Sequence, residues 1–287
     1  MKTYLECIPC IISQGIKTAK RLNVSEEIQE EMVKETLDYL KDKNYGKTPP
    51  ELAKPVYKII NKYMGTDDPF KELKDFYNDE MMKIEDDLRN IIEKNSDLKT
   101  AIKLAITGNI IDFGAKHSFD KKVVLDRINE IESNKLIVDT SDELFDKLKE
   151  SKTLLYLGDN CGEIIFDKVF IEYLKKEFPH LEITFGVRGS PIINDATEED
   201  AKKVGLDKMV KIISNGDSAP GTVIEDTSDE FKEIFYSSDL IIAKGQGNYE
   251  TLSTIDRENV FLLFMAKCDV VADELNVPIM SLVCQKR

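Results

Sequence analysis

The apolar residues of this chain change their spacing along its length, and that change sets the fold class. Up to about residue 130 they recur every three to four residues, as Ile8, Ile12 and Ile16 do, which is the period of an amphipathic helix. From about residue 150, short apolar runs alternate with amphipathic stretches, which predicts βαβ units and a mostly parallel sheet. We therefore predict an α/β protein with an N-terminal all-helical domain over 1–130 and a doubly wound, Rossmann-like domain over 131–287.

Local patterns predict individual elements. In the first half we expect a helix capped by Ser25, one long helix over 70–91 and another helix after Ser96, with a break at Thr48-Pro49-Pro50. In the second half the apolar runs predict six strands, over Thr153–Leu157, Glu182–Val187, 209–213, 240–243, Val260–Met265 and 279–283. Ligands of such sheets bind beyond the carboxyl ends of the strands, so the residues that follow each strand carry the functional information.

The charge balance excludes some partners. The chain has 54 acidic and 40 basic side chains, a formal net charge of −14, which argues against a general nucleic-acid binder. Its apolar runs are far shorter than the ~20 residues that cross a bilayer, and its first residues lack the apolar core of a secretory signal. We expect a cytoplasmic protein with no nucleic-acid or membrane partner, either a monomer or a small homo-oligomer.

Cysteine and histidine usage narrows the chemistry. The five cysteines, at positions 7, 10, 161, 268 and 284, are an odd number and poor material for a disulfide framework. The two histidines, His117 and His180, have neither metal-ligand nor triad spacing, which argues against zinc hydrolases and Ser-His-Asp enzymes. Cys7 and Cys10 fit a redox pair, half of a metal site or two residues at a helix start. Cys161 is interpreted as a small side chain that packs inside a tight loop.

Four polar, glycine-containing segments follow successive predicted strands and should meet at one edge of the sheet. They cover residues 158–163, 188–197, 214–222 and 244–250. Taken singly, each segment is also ordinary turn or helix-capping sequence. Together they supply two carboxylates and an amide oxygen, which suit Mg²⁺ or Mn²⁺, and an ammonium group beside flexible backbone N–H donors, which suits a phosphate. The four segments jointly favour a site for a metal and a phosphate.

The same segments carry a family resemblance. Gly158-Asp-Asn-Cys-Gly-Glu163, Asn194-Asp195, Ser-Asn-Gly-Asp-Ser-Ala-Pro-Gly-Thr at 214–222 and Ala-Lys-Gly-Gln-Gly-Asn-Tyr-Glu-Thr-Leu at 243–252 resemble the DUF89 family. The helical half resembles it too, through Cys-Ile-Pro-Cys at 7–10 and Gly-Asn-Ile-Ile-Asp-Phe at 108–113. This family consists of metal-dependent damage-control phosphatases related to the protein once described as acidic residue methyltransferase 1. The amino-terminal cysteine pair fits its short archaeal and bacterial branch.

The resemblance implies a metal in a cleft between a helical domain and a sheet domain. The metal is one divalent cation, Mn²⁺, Ni²⁺, Co²⁺ or Mg²⁺, held by Asp159, Asn160 and Asp195. The Lys-Gly-x-x-Asn stretch, residues 244–248 here, contacts the substrate phosphate. The Arg-Thr-x-Lys motif of the longer eukaryotic branch is absent near the carboxyl end, so sugar-phosphate specificity is not carried over from that branch.

The leading hypothesis is a hydrolase that acts on phosphate monoesters of small metabolites such as sugar phosphates, damaged or side-product metabolites included. Asp159 and Glu163 are the candidate catalytic residues, as acceptors of the proton from a water activated by the metal, and Asp159 is also a candidate covalent nucleophile. The small phosphorylated metabolite is expected to contact Asn109, Asp112, Arg188, Asn215, Lys244, Gly245, Gln246, Gly247, Asn248 and Glu250.

Two other hypotheses stay open. An S-adenosylmethionine-dependent carboxyl methyltransferase also uses a parallel sheet, but the place of its glycine-rich loop is held here by Asp-Asn-Cys-Gly-Glu, which suits a cation better. A metal-sensing or redox-sensing binding protein could be built around Cys7 and Cys10. For Asn109 and Asp112, the alternative to substrate contact is the capped end of a helix.

Overall fold

The computed structural model describes residues 1–110, 124, 128, 130–132 and 134–287. Helices and strands are numbered here in chain order. The helices are α1 (Cys7–Arg21), α2 (Glu26–Lys41), α3 (Pro49–Met64), α4 (Lys71–Met82), α5 (Glu85–Asn95), α6 (Leu98–Thr107), α7 (Ser141–Glu150), α8 (Glu163–Glu177), α9 (Glu198–Lys203), α10 (Asp229–Ser237), α11 (Gln246–Leu252) and α12 (Asp269–Leu275). The strands are β1 (Leu136–Asp139), β2 (Thr153–Leu157), β3 (Glu182–Val187), β4 (Lys211–Ser214), β5 (Leu240–Lys244), β6 (Val260–Met265) and β7 (Leu282–Lys286).

Capping residues explain where the first helices begin. Ser25 precedes α2 and accepts a hydrogen bond from the backbone N–H of Ile28, which confirms the predicted cap. The break predicted at Thr48-Pro49-Pro50 is confirmed as the boundary before α3, although the two prolines already belong to that helix. Thr48 and Glu51 form a capping box there, and the two prolines occupy first-turn positions where no backbone donor is needed.

Two other parts of the helical half differ in detail from the prediction. The single helix predicted over 70–91 is two helices, α4 and α5, because the chain turns at Ile84, which lets that side chain bury fully in the core beside Met81. The helix predicted after Ser96 is confirmed as α6, but Ser96 does not cap it. Ser96 adopts a left-handed φ of 50° and ends α5, and the cap of α6 is Asp97, whose Oδ1 accepts from the Thr100 N–H at 2.9 Å.

The second half forms one sheet with the strand order β1-β7-β6-β5-β2-β3-β4. All neighbouring strands are parallel except β6 and β7, which are antiparallel. The six predicted strands are confirmed, with shifted ends for β4, β5 and β7. β1, a short strand at the edge of the sheet, was not predicted. Alternate residues of the central strands enter separate cores on the two faces, as Tyr156 and Leu157 of β2 do, so the sheet is doubly wound as predicted.

The helices of the first half pack in two groups. Residues of α5 and α6, such as Leu88 and Ile102, share one hydrophobic core with Tyr156 and Ile242 of the sheet. Residues of α1, α2 and α3 form a second core, which includes Ile11, Met32 and Leu52. The boundary at residue 130 between two domains stays a prediction. In the described part of the chain, no helix is both long and apolar enough to cross a membrane.

The strand order places a crevice at the end of β2. The chain passes from β2 to its neighbour β3 and later returns to pair β5 against the opposite edge of β2. Connections therefore leave β2 and β5 in opposite directions, and the loops after these two strands separate. Such a switch point is where open α/β sheets bind their ligands. The segments after Leu157 and Lys244, singled out from the sequence, both begin here.

Candidate active site

Asp159, Asn160 and Glu163 form a compact group at the carboxyl end of β2. The Asn160 Nδ2 group donates to Asp159 Oδ2 at 2.7 Å and to Glu163 Oε2 at 3.0 Å. Asn109, which follows α6, is buried and donates from Nδ2 to the same two carboxylates, at 3.0 and 2.6 Å. The structure thus brings Asn109 to the predicted metal site and joins the helical half to it. Asp112, predicted beside it, lies outside the described residues.

The segment after β3 packs against this group. Asn160 and Asp195 form an isolated antiparallel bridge, and the Ala196 N–H donates to the Asp159 backbone oxygen at 2.8 Å. Arg188 is buried and donates from Nε to Asp195 Oδ2 at 2.7 Å. Its NH2 group lies 3.7 Å from Asp159 Oδ1 and has no hydrogen-bond partner within the described part of the chain. The three predicted metal ligands are therefore neighbours.

Negative charge is poorly compensated at this point. Burial, Glu163 and Asp195 together raise the pKa of Asp159 well above its usual value, although Arg188 and Lys267 oppose the shift. Burial also raises the pKa of Asp195, against the effect of Arg188. Carboxylates that gather with too little positive charge are what a divalent cation stabilises.

The donor set fits a hard cation. Asp159 and Asp195 offer carboxylate oxygens, and the Asn160 carboxamide oxygen accepts no hydrogen bond from any residue that the structure describes. Oxygen ligands of this kind suit Mg²⁺ or Mn²⁺. Across the described ranges, no group of three or more His, Cys, Asp or Glu side chains is arranged to hold a metal. The candidate site thus depends on the amide of Asn160 as its third ligand.

Glycines after β5 allow the acidic loop to approach. Gly245 has a φ of 82°, and a Cβ atom built on it would lie 1.9 Å from Asp159 Oδ2. A Cβ atom on Gly247 would lie 2.1 Å from the Pro220 backbone oxygen. Any side chain at these two positions would displace a loop of the site. The Gly-Gln-Gly sequence, predicted to cradle a phosphate, therefore also gives Asp159 its place.

Lys244 lies behind the site and does not line the cleft. Its ammonium group is fully buried and donates to Glu163 Oε1 at 2.8 Å, to Asp167 Oδ1 at 2.5 Å and to the Ala105 backbone oxygen at 2.8 Å. Burial alone would lower the pKa of Lys244, but the two carboxylates outweigh it and raise that pKa. Direct contact between Lys244 and a phosphate stays a prediction.

Three more predicted residues hold loops together. Asn248 is buried, accepts from Thr222 Oγ1 at 2.7 Å and donates to the Lys244 backbone oxygen at 2.7 Å. Arg188 reaches the Asn248 Oδ1 atom from NH1 at 3.4 Å. Asn215 Oδ1 accepts from the backbone N–H groups of Gly189 and of Asp217, at 2.8 and 2.9 Å. These side chains fix the loops that end β3, β4 and β5.

A cleft of about 620 Å³ opens in front of the group. Among the predicted site residues it is lined by Asn109, Asp159, Asn160, Asp195, Gln246, Gly247 and Glu250. Its other wall comes from the helical half and includes Gln14 and Tyr57, with Cys7 and Cys10 of α1 opposite Cys268. The structure therefore brings the amino-terminal cysteine pair to the cleft together with a third thiol.

Sequence reasoning missed Lys267 and Asp167. Lys267 is the one lysine or arginine that lines the cleft within the described ranges, and its charge lowers the pKa of Asp159. It comes two residues after β6, so reading beyond the fifth predicted strand, as was done for the first four, would have found it. Asp167 lies one helical turn after Glu163 on α8 and is buried, and no sequence motif marks it.

Comparison with known proteins places the chain in a family. The model of the damage-control phosphatase ARMT1-like domain matches the chain over residues 3–283. The chain belongs to this family. The resemblance predicted from the strand-end motifs is confirmed, and with it a phosphatase of the damage-control type.

The relatives match over nearly their full length. The chain is 36% identical to a damage-control phosphatase of Pyrococcus horikoshii, with 100% of this chain and 98% of the relative covered. It is 31% identical to a damage-control phosphatase of Archaeoglobus fulgidus, with 99% of each covered. The crystal structure of a DUF89 family protein from Pyrococcus horikoshii superposes with a TM-score of 0.90 at 36% identity, covering 100% of this chain and 99% of that one. This confirms the predicted fold class.

Proposed function

We propose that this protein is a metal-dependent phosphatase that hydrolyses phosphate monoesters of small metabolites, including damaged or side-product ones. One divalent cation, Mn²⁺, Ni²⁺, Co²⁺ or Mg²⁺, would be held by Asp159, Asn160 and Asp195. The observation that carries the proposal is the meeting of these side chains at the switch point, where their charges lack compensation. A cation bound there would neutralise phosphoryl oxygens and lower the pKa of water.

The acid–base role falls to Asp159. Of the two candidate proton acceptors, only Asp159 lines the cleft. Glu163 is buried, and its oxygens accept hydrogen bonds from Asn109, Asn160 and Lys244. We assign proton acceptance from the attacking water to Asp159. Glu163 orients the two amides that bind Asp159.

The two lysines of the site also differ in whether they reach the cleft. Lys267 faces the cleft and is exposed, so its ammonium group can bind the outer oxygens of a phosphate. Lys244 is enclosed by Glu163, Asp167 and Ala105, so it acts through Glu163. Gln246 and Glu250 line the cleft beside Lys267 and can bind polar groups of the metabolite.

Phosphate release from p-nitrophenyl phosphate tests the proposal. Protein stripped of metal and then given Mn²⁺, Co²⁺, Ni²⁺ or Mg²⁺ should release phosphate with at least one of them, and the stripped protein should not. Release without any metal would overturn the metal-dependent reaction, and no release with any of the four metals would overturn the proposed hydrolysis of simple phosphate monoesters. If the Asp195→Ala variant kept its Mn²⁺-dependent activity, Asp195 would not be a metal ligand.

The route of attack needs a separate measurement. The configuration at phosphorus gives the answer, with a phosphate monoester made chiral by oxygen isotopes: the proposed single attack by water inverts it. Retention would show two displacements through a covalent phosphoenzyme on Asp159, the other role predicted for that residue.

A further inference from the structure

Asn78 of α4 connects the two segments that hold the candidate metal ligands. This side chain is fully buried. Its Oδ1 atom accepts from the Gly162 backbone N–H at 2.7 Å, and its Nδ2 group reaches Asp200 Oδ1 at 3.4 Å. Gly162 belongs to the loop after β2, and Asp200 to the segment after β3. One carboxamide therefore bridges both loops from the helical half.

The contact with Gly162 fixes the turn that carries Asn160 and Glu163. Gly162 has φ 77° and ψ −54°, and it precedes α8 without any side-chain cap. Glycine populates many backbone conformations, so the orientation of this turn depends on what its N–H group binds. Asn78 supplies that acceptor. The directions of Asn160 and Glu163 on either side follow from it.

The contact with Asp200 fixes the second segment. Asp200 Oδ2 accepts from the backbone N–H and the hydroxyl of Thr197, at 2.9 and 2.8 Å, in the capping box that starts α9. Thr197 lies two residues after Asp195. Lys74, one turn before Asn78 on α4, is buried and lies 3.2 Å from Asp200 Oδ2. Helix α4 thus holds Asp200 through both an amide and a charge.

We propose that Asn78 is a positioning residue for the metal site, an inference that rests on the proposed function. It keeps the 159–163 turn and the 195–200 segment at a fixed separation, so that the three ligands are placed before a cation binds. Groups that orient metal ligands without touching the metal change metal affinity or activity about 10–100-fold when they are removed.

Direct Mn²⁺ binding to the metal-stripped protein tests this, with hydrogen exchange of the Gly162 amide as a second readout that needs no metal. Asn78→Ala should bind Mn²⁺ about 10–100-fold more weakly by calorimetry. Its Gly162 amide should exchange faster than in the unmodified protein. Asn78→Asp keeps the oxygen acceptor for that amide but replaces the donor to Asp200 with a second carboxyl group, so it should restore the protection of Gly162 without the contact to Asp200. It is the second variant to measure if Asn78→Ala fails to fold.

Ile92→Ala is the matched control. Ile92 of α5 lines a surface pocket together with Tyr173 of α8. Neither residue belongs to the 159–163 turn or to the 195–200 segment. The variant should lower the melting temperature without changing Mn²⁺ affinity. Equal losses of affinity in Asn78→Ala and Ile92→Ala, or an unchanged Gly162 exchange rate in Asn78→Ala, would overturn the inference. Failure of the unmodified protein to bind any divalent metal would overturn the proposed function instead. The exchange rate of the Gly162 amide would still show whether Asn78 holds that turn.

Discussion

The back of the candidate site and the wall of its cleft are built differently. At the back, Lys244 is fully buried and donates to Asp167 and Glu163, which are buried as well. On the wall, Lys267 is exposed and Glu250 half-buried, and both line the cleft. Buried charges cost free energy unless they are paired, so the back is a fixed scaffold. The wall can exchange its water for a substrate. Several motif residues therefore support the chemistry without touching the metabolite.

The largest loss of activity is expected for Asp159, which lies between the buried back of the site and the wall of the cleft. Asp159→Ala removes a predicted ligand and the proposed proton acceptor, so phosphate release should fall more than about 100-fold. Asp159 lies in a loop and not in the core, so the variant should keep the circular dichroism of the unmodified protein. Near-normal turnover at saturating Mn²⁺ would show that Asp159 is not in the active site.

Lys244 at the back and Lys267 on the wall allow the two regions to be compared with the same substitution. Lys244→Met leaves two buried carboxylates without their cation and should lower the free energy of unfolding by about 3–5 kcal/mol. Lys267→Met should change that free energy much less, because Lys267 is exposed, and should raise KM through the loss of the proposed contact with the phosphate. Urea unfolding and steady-state kinetics on both variants give the answer. A raised KM with normal stability in Lys244→Met would place Lys244 on the substrate instead.

The sequence predicted where the site lies, but not which of its residues are buried behind the cleft. The strand periods placed Asp159, Asn160 and Asp195 at one sheet edge, and the structure joins them. Burial could not be predicted, since it depends on what packs over Lys244, and α6 supplies that cover through Ala105. The contribution of Asn78 comes from a distant helix, across 84 residues of sequence, so no local pattern indicates it.

A smaller effect concerns pH and the cleft wall. Burial raises the pKa of Glu250 to about 7, more than its hydrogen bond from Gln246 lowers it. Between the unfolded-state pKa near 4.5 and about 7, the folded protein holds a proton that the unfolded chain has lost. This contribution to stability therefore falls as pH rises through that window.

Glu250→Gln should remove that pH dependence. The variant should gain stability relative to the unmodified protein as pH increases from 5 to about 8, because a neutral amide cannot ionise. Urea unfolding at several pH values measures the difference. A constant difference in the free energy of unfolding across this range would mean that Glu250 titrates normally.

The smallest effect is expected at the thiols of the wall. Burial raises the pKa of Cys7 and of Cys10, so both are protonated and weakly nucleophilic at neutral pH. The double variant Cys7→Ser/Cys10→Ser should keep kcat within about twofold, since it preserves size and leaves the back of the site intact. A loss of phosphate release in this variant would show that the cysteines take part in the reaction.

The most direct test of the central claim measures metal binding and turnover on the same sample. Metal-stripped protein is titrated with Mn²⁺ while bound metal and phosphate release from p-nitrophenyl phosphate are both followed. We predict one Mn²⁺ per chain, release that rises in proportion to bound metal, and loss of both in the Asp159→Ala and Asp195→Ala variants. Full release from the stripped protein, or unchanged Mn²⁺ binding in both variants, would contradict a metal site at Asp159, Asn160 and Asp195.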